Sequence, residues 1–531
     1  MEKTPQPRRD DRAMEAPGHE GLEVLTSRTG LAIGCFLIFS LGLYFGTRLI
    51  QGKPLHLPAP RYFPSSAEKP LSGGPLPTAA TRHLEPPVEL RTTVQPIEAP
   101  RPAADATGIA AEPLEGLFRS LRRTESRESG AITRVCHWGD SQIVADNITS
   151  TLRRRFQLRF GDSGHGFVSV GRPSSYLHRD VWHWDRDWSF AGVAQAGFPD
   201  RMFGLGGMMS FASNARAMAR LATRESYPVG KRMSRVEVGF LVHPEGGRFK
   251  VLVDDKDVGT VDTRWGRHDK ALLLPEAPEG AVGEAPGDPK ERQAAPNRAD
   301  GVFSRSFEDG PHEVTIRALG FGIVRLHGAV LERDQPGVVY DSLGLKGAQL
   351  HDLARLEPAH FARQLRWRSP ALLVFGFGTN ESYQSIPMDE YIPKWRLVLA
   401  RARAAMPGAS CLVLGPVDRV YKRRQVHPRT VPLTKALREA ALGSGCAFWD
   451  TYEAMGGGNA ALTYRRAGLL YGDLAHLNPD GGERLGKLLF TAIMERYDHW
   501  KAEQKRLEKQ AGQPPLPEAR PAQPREPARA P

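Results

Sequence analysis

The chain has 531 residues with 72 Lys and Arg against 60 Asp and Glu, a net charge of +12, and it carries 54 Gly and 43 Pro at a hydrophobic fraction of 40%. That length exceeds what one hydrophobic core organises, and the Gly and Pro content sets unstructured stretches beside a globular part. The arginines are spread along the chain rather than clustered beside aromatics, so a nucleic-acid partner is excluded. There is no C-x-x-C or H-E-x-x-H, so neither a zinc site nor any other metal or cofactor site is expected.

Residues 1–28 form a short N-terminal segment, followed by "TGLAIGCFLIFSLGLYFGT", an uncharged run from Thr29 to Thr47 with no polar face. At a rise of about 1.5 Å per residue such a helix crosses most of a ~30 Å hydrocarbon layer. No small-x-small cleavage site follows, so residues 29–49 are expected to be an uncleaved single-pass signal anchor. Lys3, Arg8, Arg9, Arg12 and Arg28 precede it and Arg48, Lys53 and Arg61 follow, a slight bias toward a cytoplasmic N-terminus. Residues 50–113 are Pro-rich without period and read as a disordered linker, as do the tail 504–531 and an internal loop near 275–301. Cys35 lies in the anchor; Cys136, Cys411 and Cys446 sit in short apolar runs and read as small buried hydrophobes.

The first globular block, 114–165, contains "AITRVCHWGDSQIVADNITS". Residues 132–137 predict a buried strand, and Val144, Ile148, Leu152 and Phe156 recur at four-residue spacing, the signature of a helix face. Ser141 therefore stands at a strand-to-helix turn, where free N–H groups can face a developing negative charge. A second Gly-Asp-Ser, ending in Ser163, follows the same helix after Gly161 and reads as a C-terminal cap and loop without a catalytic role.

Residues 166–335 read as an insertion. Val236, Val238, Phe240 and Val242, then Phe249, Val251 and Val253, then Val314 and Ile316, then Val324, Leu326 and Val330 alternate as strands do, which predicts a jelly-roll-like β-sandwich of the carbohydrate-binding kind. Trp182, Trp184 and Trp188 in "YLHRDVWHWDRDWSF" are candidates for stacking on sugar rings. "FGLGGMMS" lacks the spacing of a nucleotide-binding loop.

From 336 to 503 strands alternate with helices: strand 338–343, helix 350–365, strand 371–376, helix 387–405, strand 410–415, helix 431–442, strand 446–450 and a last helix 481–500. This is the pattern of a parallel sheet covered on both faces, with sites at the carboxyl ends of its strands. Those ends carry Gly347, which offers a backbone N–H, and Asn380, which offers a side-chain amide. "YGDLAHLNPDGG" supplies Asp473 and His476 from one loop, a carboxylate and a base for a nucleophilic serine.

In this order, Gly139-Asp140-Ser141, Gly347 in "LGLKGA", Asn380 in "GFGTNE" and Asp473-x-x-His476 resemble the four blocks of the SGNH or GDSL hydrolase superfamily. The resemblance covers roughly 130–160 and 336–500. It implies an α/β, three-layer, flavodoxin-like fold with Ser141 as nucleophile, His476 as base, Asp473 as its orienter, and an oxyanion hole made by Ser141, Gly347 and Asn380. Lys346 departs from the pattern, since similar members often carry Asn there. The implied function is an acyl-ester hydrolase similar to bacterial envelope enzymes that remove O-acetyl groups from polysaccharide or peptidoglycan, held at the inner membrane with its catalytic domain in the periplasm. Transfer of the acetyl group to a glycan, and an inactive polysaccharide-binding protein, are the alternatives.

Overall fold

The structure, a computed structural model, describes residues 109–511 apart from 196, 226–227, 279, 282–296 and 422–424. The segment 1–28, the expected anchor 29–49, nearly all of the linker, most of the tail and the centre of the 275–301 loop lie outside the described residues. Among the described residues no helix is long and apolar enough to cross a membrane.

Five strands form the central sheet: β1 (Ile132–Gly139), β2 (Gly337–Gly344), β3 (Leu372–Gly376), β4 (Ser410–Leu414) and β5 (Ala447–Trp449). They lie in the order β2-β1-β3-β4-β5, every pair parallel. The continuous apolar runs seen in the sequence are explained by burial on both faces. Successive side chains alternate between two cores: Val135, Leu372, Val374 and Leu412 join one, Cys136, Trp138, Leu373, Phe375 and Val413 the other. The first core is covered by α1 (Glu115–Glu125), α3 (Asn147–Phe160) and α7 (Pro479–Ala511). The second is covered by α4 (Pro358–Arg368), α5 (Met388–Ala405) and α6 (Thr430–Gly443), giving three layers.

Several boundaries differ from the expected ones. The helix after β1 is broken into α2 (Ser141–Val144) and α3, because Asp146 between them adopts φ 52°. Its buried carboxylate accepts hydrogen bonds from Arg153 at 3.1 Å and from the Arg179 N–H at 3.0 Å, which hold that conformation. Helix 350–365 divides likewise into a 3₁₀ turn, Leu350–Arg355, and α4, which starts at Pro358 with Glu357 as its cap. The last helix runs on to Ala511: Trp500 packs on Phe118, and Lys501 and Glu508 pair with Glu125 and Arg122 of α1. Ordered chain also begins before 114, with Ile109 buried.

Cys411 and Cys446 are not free hydrophobes but a disulfide. Leu412 of β4 lies in register with Ala447 of β5, so the preceding residues stand side by side. Only the strand register brings together two cysteines 35 residues apart.

The residues between α3 and β2 form two antiparallel sheets. One contains Ala299–Gly310, Met233–Val242, Val324–Glu332, Met208–Ala212 and Ser189–Gly192, with Gly166–Val168 paired to Val324–Glu332. The other contains, in order, Val181–Arg186, Met218–Thr223, Glu313–Gly320, Arg248–Val253 and Lys256–Asp262. Val236, Val238, Phe240, Phe249, Val251, Ile316 and Leu326 meet in one apolar cluster fed by both sheets. Val330 does not join it. The register shifts between Leu326 and Gly328, so the phase reverses and Val330 faces the parallel-sheet core while Ala329 and Leu331 stay inside.

A buried charge network joins the insertion to the parallel sheet. Glu332 accepts from Arg134 of β1 at 2.8 and 2.9 Å and from Arg368 of α4 at 2.8 Å, and Arg368 also binds Asp341 of β2 at 2.8 Å. Burial would raise the Glu332 carboxyl, but Arg368 and Arg134 hold it well below the usual carboxylate range. Its contribution to stability is therefore present above the unfolded carboxylate value and lost as pH falls through the native one. Glu332→Gln leaves buried arginines undercompensated, and is expected to cost about 3–5 kcal/mol in denaturant unfolding at neutral pH. A loss under about 1 kcal/mol would show that the network is dispensable.

Candidate active site

The turn after β1 sets the first group. Asp140 caps α2, its carboxylate accepting the Gln142 N–H at 2.9 Å and the Thr379 N–H at 3.3 Å. Burial pushes the Asp140 carboxyl up, and the two N–H groups pull it back. Ser141 is the first residue of α2, so its N–H has no intrahelical acceptor. This turn and the end of β3 flank the point where the strand order reverses, the usual position of a site in an open α/β sheet.

The loop before α7 brings the other two expected residues to that point. Ser141 Oγ lies 2.7 Å from His476 Nε2, and His476 Nδ1 lies 2.6 Å from Asp473 Oδ2. Asp473 Oδ1 also accepts the N–H groups of Ala475 and His476, each at 3.0 Å, which folds the loop around its own carboxylate. Burial alone would raise the Asp473 carboxyl, but the hydrogen bonds from His476 and the backbone hold it at about 2. The same Asp473 bond raises the His476 imidazole above its ordinary value, against partial burial and with help from the Asp140 charge.

Gln142 holds this loop to α2. Its Nε2 donates to the Ala475 carbonyl at 2.8 Å and its Oε1 accepts the Leu477 N–H at 3.2 Å, one bond on each side of His476. Nothing in the sequence distinguished this residue, since glutamine carries no reactive group of its own.

Gly347 and Asn380 stand on adjacent loops. Gly347 has φ +77°, and a Cβ there would meet nothing within 4 Å, so glycine is required by the backbone conformation and not by crowding. Its N–H has no acceptor among the described residues. The loop is held by Leu345 N–H to Gly139 O at 2.8 Å and by Lys346 N–H to Tyr176 Oη at 2.8 Å. Lys346, the departure from the expected pattern, thus fixes the loop through its main chain. Asn380 Nδ2 donates to Ala348 O at 2.8 Å, tying the two loops together and leaving its second N–H for another acceptor. Glu381 beside it is fully buried, accepts the Leu350 N–H at 2.9 Å and is pushed up to about 8 by burial.

Ser163 lies far from any such arrangement. It is fully buried, its hydroxyl donates to Gln335 O at 2.6 Å, and Gly161 at φ +106° ends α3 as expected. Trp182 and Trp184 are 43% and 39% exposed on one face of Val181–Arg186, whereas Trp188 is 8% exposed. Trp188 therefore cannot stack on a sugar. It lies between strands of different sheets, where the chain crosses from one to the other, and its side chain packs inside the shared core.

A hydroxyl bonded to an imidazole, itself bonded to a carboxylate, is the arrangement in which an alcohol can lose its proton as it attacks a carbonyl. The GDSL-like lipase/acylhydrolase family matches residues 317–484, which include Gly347, Asn380, Asp473 and His476; the Ser141 turn lies outside that match, on the far side of the insertion. Over those residues the chain resembles GDSL-type carboxylic ester hydrolases, and the hydroxyl–imidazole–carboxylate alignment fits such chemistry. The chain's fold is shared with a solved structure of a peptidoglycan O-acetylesterase, at TM-score 0.57 and 18% identity over 75% of this chain and 98% of that one. A lipase/acylhydrolase from Enterococcus faecalis aligns at TM-score 0.24 and 19% identity over 30% of this chain and 77% of that one. A family two carbohydrate esterase from Cellvibrio japonicus aligns at TM-score 0.25 and 9% identity over 60% and 98%. No curated protein matches this chain in sequence.

Proposed function

We propose that the protein is a membrane-anchored, exported serine esterase that removes O-acetyl groups from a cell-envelope polysaccharide through an acyl-enzyme on Ser141. The observation that carries this reading is the alignment of Ser141 Oγ, His476 and Asp473 at 2.7 and 2.6 Å. Ser141 Oγ attacks the acetyl carbonyl while His476 Nε2 takes the hydroxyl proton, and Asp473 holds the imidazole and its growing charge. The oxyanion accepts the N–H of Ser141, the N–H of Gly347 and the second amide hydrogen of Asn380. His476 then returns the proton to the departing sugar oxygen, and water attacks the acyl-enzyme by the same route to release acetate. Every step uses these groups and water.

Export is supported by the Cys411–Cys446 disulfide, since such bonds persist in oxidising compartments. The uncharged run Thr29–Thr47 and the Pro-rich spacer after it suit a domain held away from the inner membrane on its periplasmic side. The acetylated-glycan substrate is supported by the shared fold of the peptidoglycan O-acetylesterase and by the two-sheet insertion, read as a carbohydrate-binding-like sandwich.

The test is acetate release from purified O-acetylated envelope polymers, wild type against Ser141→Ala. Free acetate from the wild type alone is the expected result; acetyl groups appearing on an added glycan would replace hydrolysis by transfer. Asn380→Ala is expected to lower kcat by on the order of 10²–10³ while the protein stays folded, the usual effect of removing one oxyanion donor. Unchanged turnover of a small acetyl ester would remove Asn380 from the site.

A further inference from the structure

We infer that the segment Tyr176–Arg186 is a subsite for a glycan strand bearing carboxylates, leading from the acyl site along the edge of the inserted five-stranded sheet. The inference rests on the proposed esterase reading and specifies its polymer.

The segment is fastened to the catalytic turn at each step. The Tyr176 hydroxyl accepts the Lys346 N–H beside Gly347. Leu177 N–H donates to Val144 O at 3.0 Å, and Arg179 Nε to Ala145 O at 3.1 Å. Val144 and Ala145 lie about one helical turn beyond Ser141. Asp180 is buried on Arg153 at 2.7 Å, so the chain leaves the hydrolase at a fixed place. Arg179 and Asp180 make a turn closed by Val181 N–H to His178 O at 3.3 Å, and the strand carrying Trp182 begins directly after it.

There the strand presents its two rings. Trp182 and Trp184 alternate on one face, about 6.6–6.8 Å apart along the strand. Val181–Arg186 is an edge strand of its sheet; opposite Trp182 lies Ala222, too small to cover an indole, and opposite Trp184 lies Arg220, which is drawn to Glu313 at 3.3 Å and leaves the ring 39% exposed. Large apolar faces left open at an edge beside a site are a binding surface for an amphipathic ligand, and the C–H face of a pyranose suits an indole. Trp188, four residues beyond Trp184, has turned into the core.

The charge on this edge selects an anion. Arg179, Arg186 and Arg224 line it without a carboxylate partner among the described residues, and Arg186 lies 5.8 Å from the Trp184 ring centroid. Of the two nearby acids, Asp187 lies 3.8 Å from Arg216, and Asp185 faces the Arg172 charge, since the buried His183 beside it is held neutral, its imidazole lowered to about 3. The side chains of Arg179 and Arg224 bond only carbonyls, Ala145 O and Arg179 O, and Arg186 rests over an indole, so a carboxylate-bearing polymer supplies the counter-charge that no acid among the described residues gives them.

The experiment compares the full chain with Trp182→Ala/Trp184→Ala and with Arg186→Glu, on an insoluble O-acetylated, carboxylate-bearing glycan and on a small acetyl ester. The double variant is expected to lower the ratio of polymer to small-ester kcat/KM by about tenfold or more, through KM, as truncation of an aromatic contact does. Arg186→Glu is expected to raise KM on the anionic polymer more than on a neutral acetylated xylan. Co-sedimentation of the Ser141→Ala protein with the polymer, with and without the Trp substitutions, gives binding apart from turnover. An unchanged ratio together with undiminished co-sedimentation overturns the subsite while leaving the esterase reading intact. Equal KM changes on both polymers overturn its charge selection. A wild type that cleaves the small ester, releases no acetate from polymer and yet binds it through the two indoles overturns the substrate reading and upholds the subsite.

Discussion

Replacing Ser141 by Ala is expected to reduce kcat for acetyl-ester hydrolysis by on the order of 10⁶, with His476→Ala close to it and the double variant hardly worse. The non-additivity follows from the geometry. The hydroxyl and the imidazole are 2.7 Å apart and act on one proton, so neither retains its role without the other. What survives is catalysis by the oxyanion donors and by binding, which a missing hydroxyl does not disturb. Single-turnover assays with a chromogenic acetyl ester measure the loss, and labelling with a fluorophosphonate checks that the wild-type hydroxyl is the reactive one. Retention of more than about 1% activity in Ser141→Ala would place the nucleophile elsewhere.

Asp473→Asn is expected to lower kcat by on the order of 10⁴, because an amide beside Nδ1 favours the wrong tautomer and gives no charge to the imidazolium. It also carries a pH signature. The base works only when neutral, so kcat/KM rises as His476 loses its proton, and the Asp473 bond sets that midpoint above the ordinary imidazole value of about 6.5. Removing the carboxylate removes stabilisation of the charged ring, so the proton leaves more easily and the acid limb moves to lower pH. A full pH–rate profile of both proteins reads the shift. A limb that stays in place in Asp473→Asn would mean another group holds the imidazole.

The groups that carry the proposed chemistry were legible because each sits in a short local pattern. Ser141 follows a strand and opens a helix, and Asp473 and His476 share one loop, so spacing in sequence translates directly into spacing in space. The parallel sheet was legible for a similar reason, since an unbroken apolar run as short as Leu372–Phe375 suits a strand buried on both faces. Interactions that depend on tertiary register were not. The Cys411–Cys446 bond needs the β4–β5 alignment, and Gln142 and Tyr176 act on segments more than a hundred residues away. Trp188 was read with Trp182 and Trp184 because it shares their local sequence; the crossing between sheets that turns it inward leaves no mark in hydrophobic period. Val330 failed for a related cause, one irregular residue at Gly328 that reverses the alternation.

The pairing of Gly166–Val168 with Val324–Glu332 sets Gly166 opposite Leu331, so the two ends of the insertion meet. β1 must otherwise find β2 across a span of almost two hundred residues, a costly closure for a growing chain whose first strand leaves the ribosome long before its partner. Once the inserted sheets assemble, that span shrinks to the stretch from Gly139 to Gly166 and the short step from Leu331 to Gly337, which brings β2 within reach of β1. By that closure the insertion is expected to act as a clasp during assembly, and substitutions at its two ends to lower the yield of soluble protein before they lower turnover.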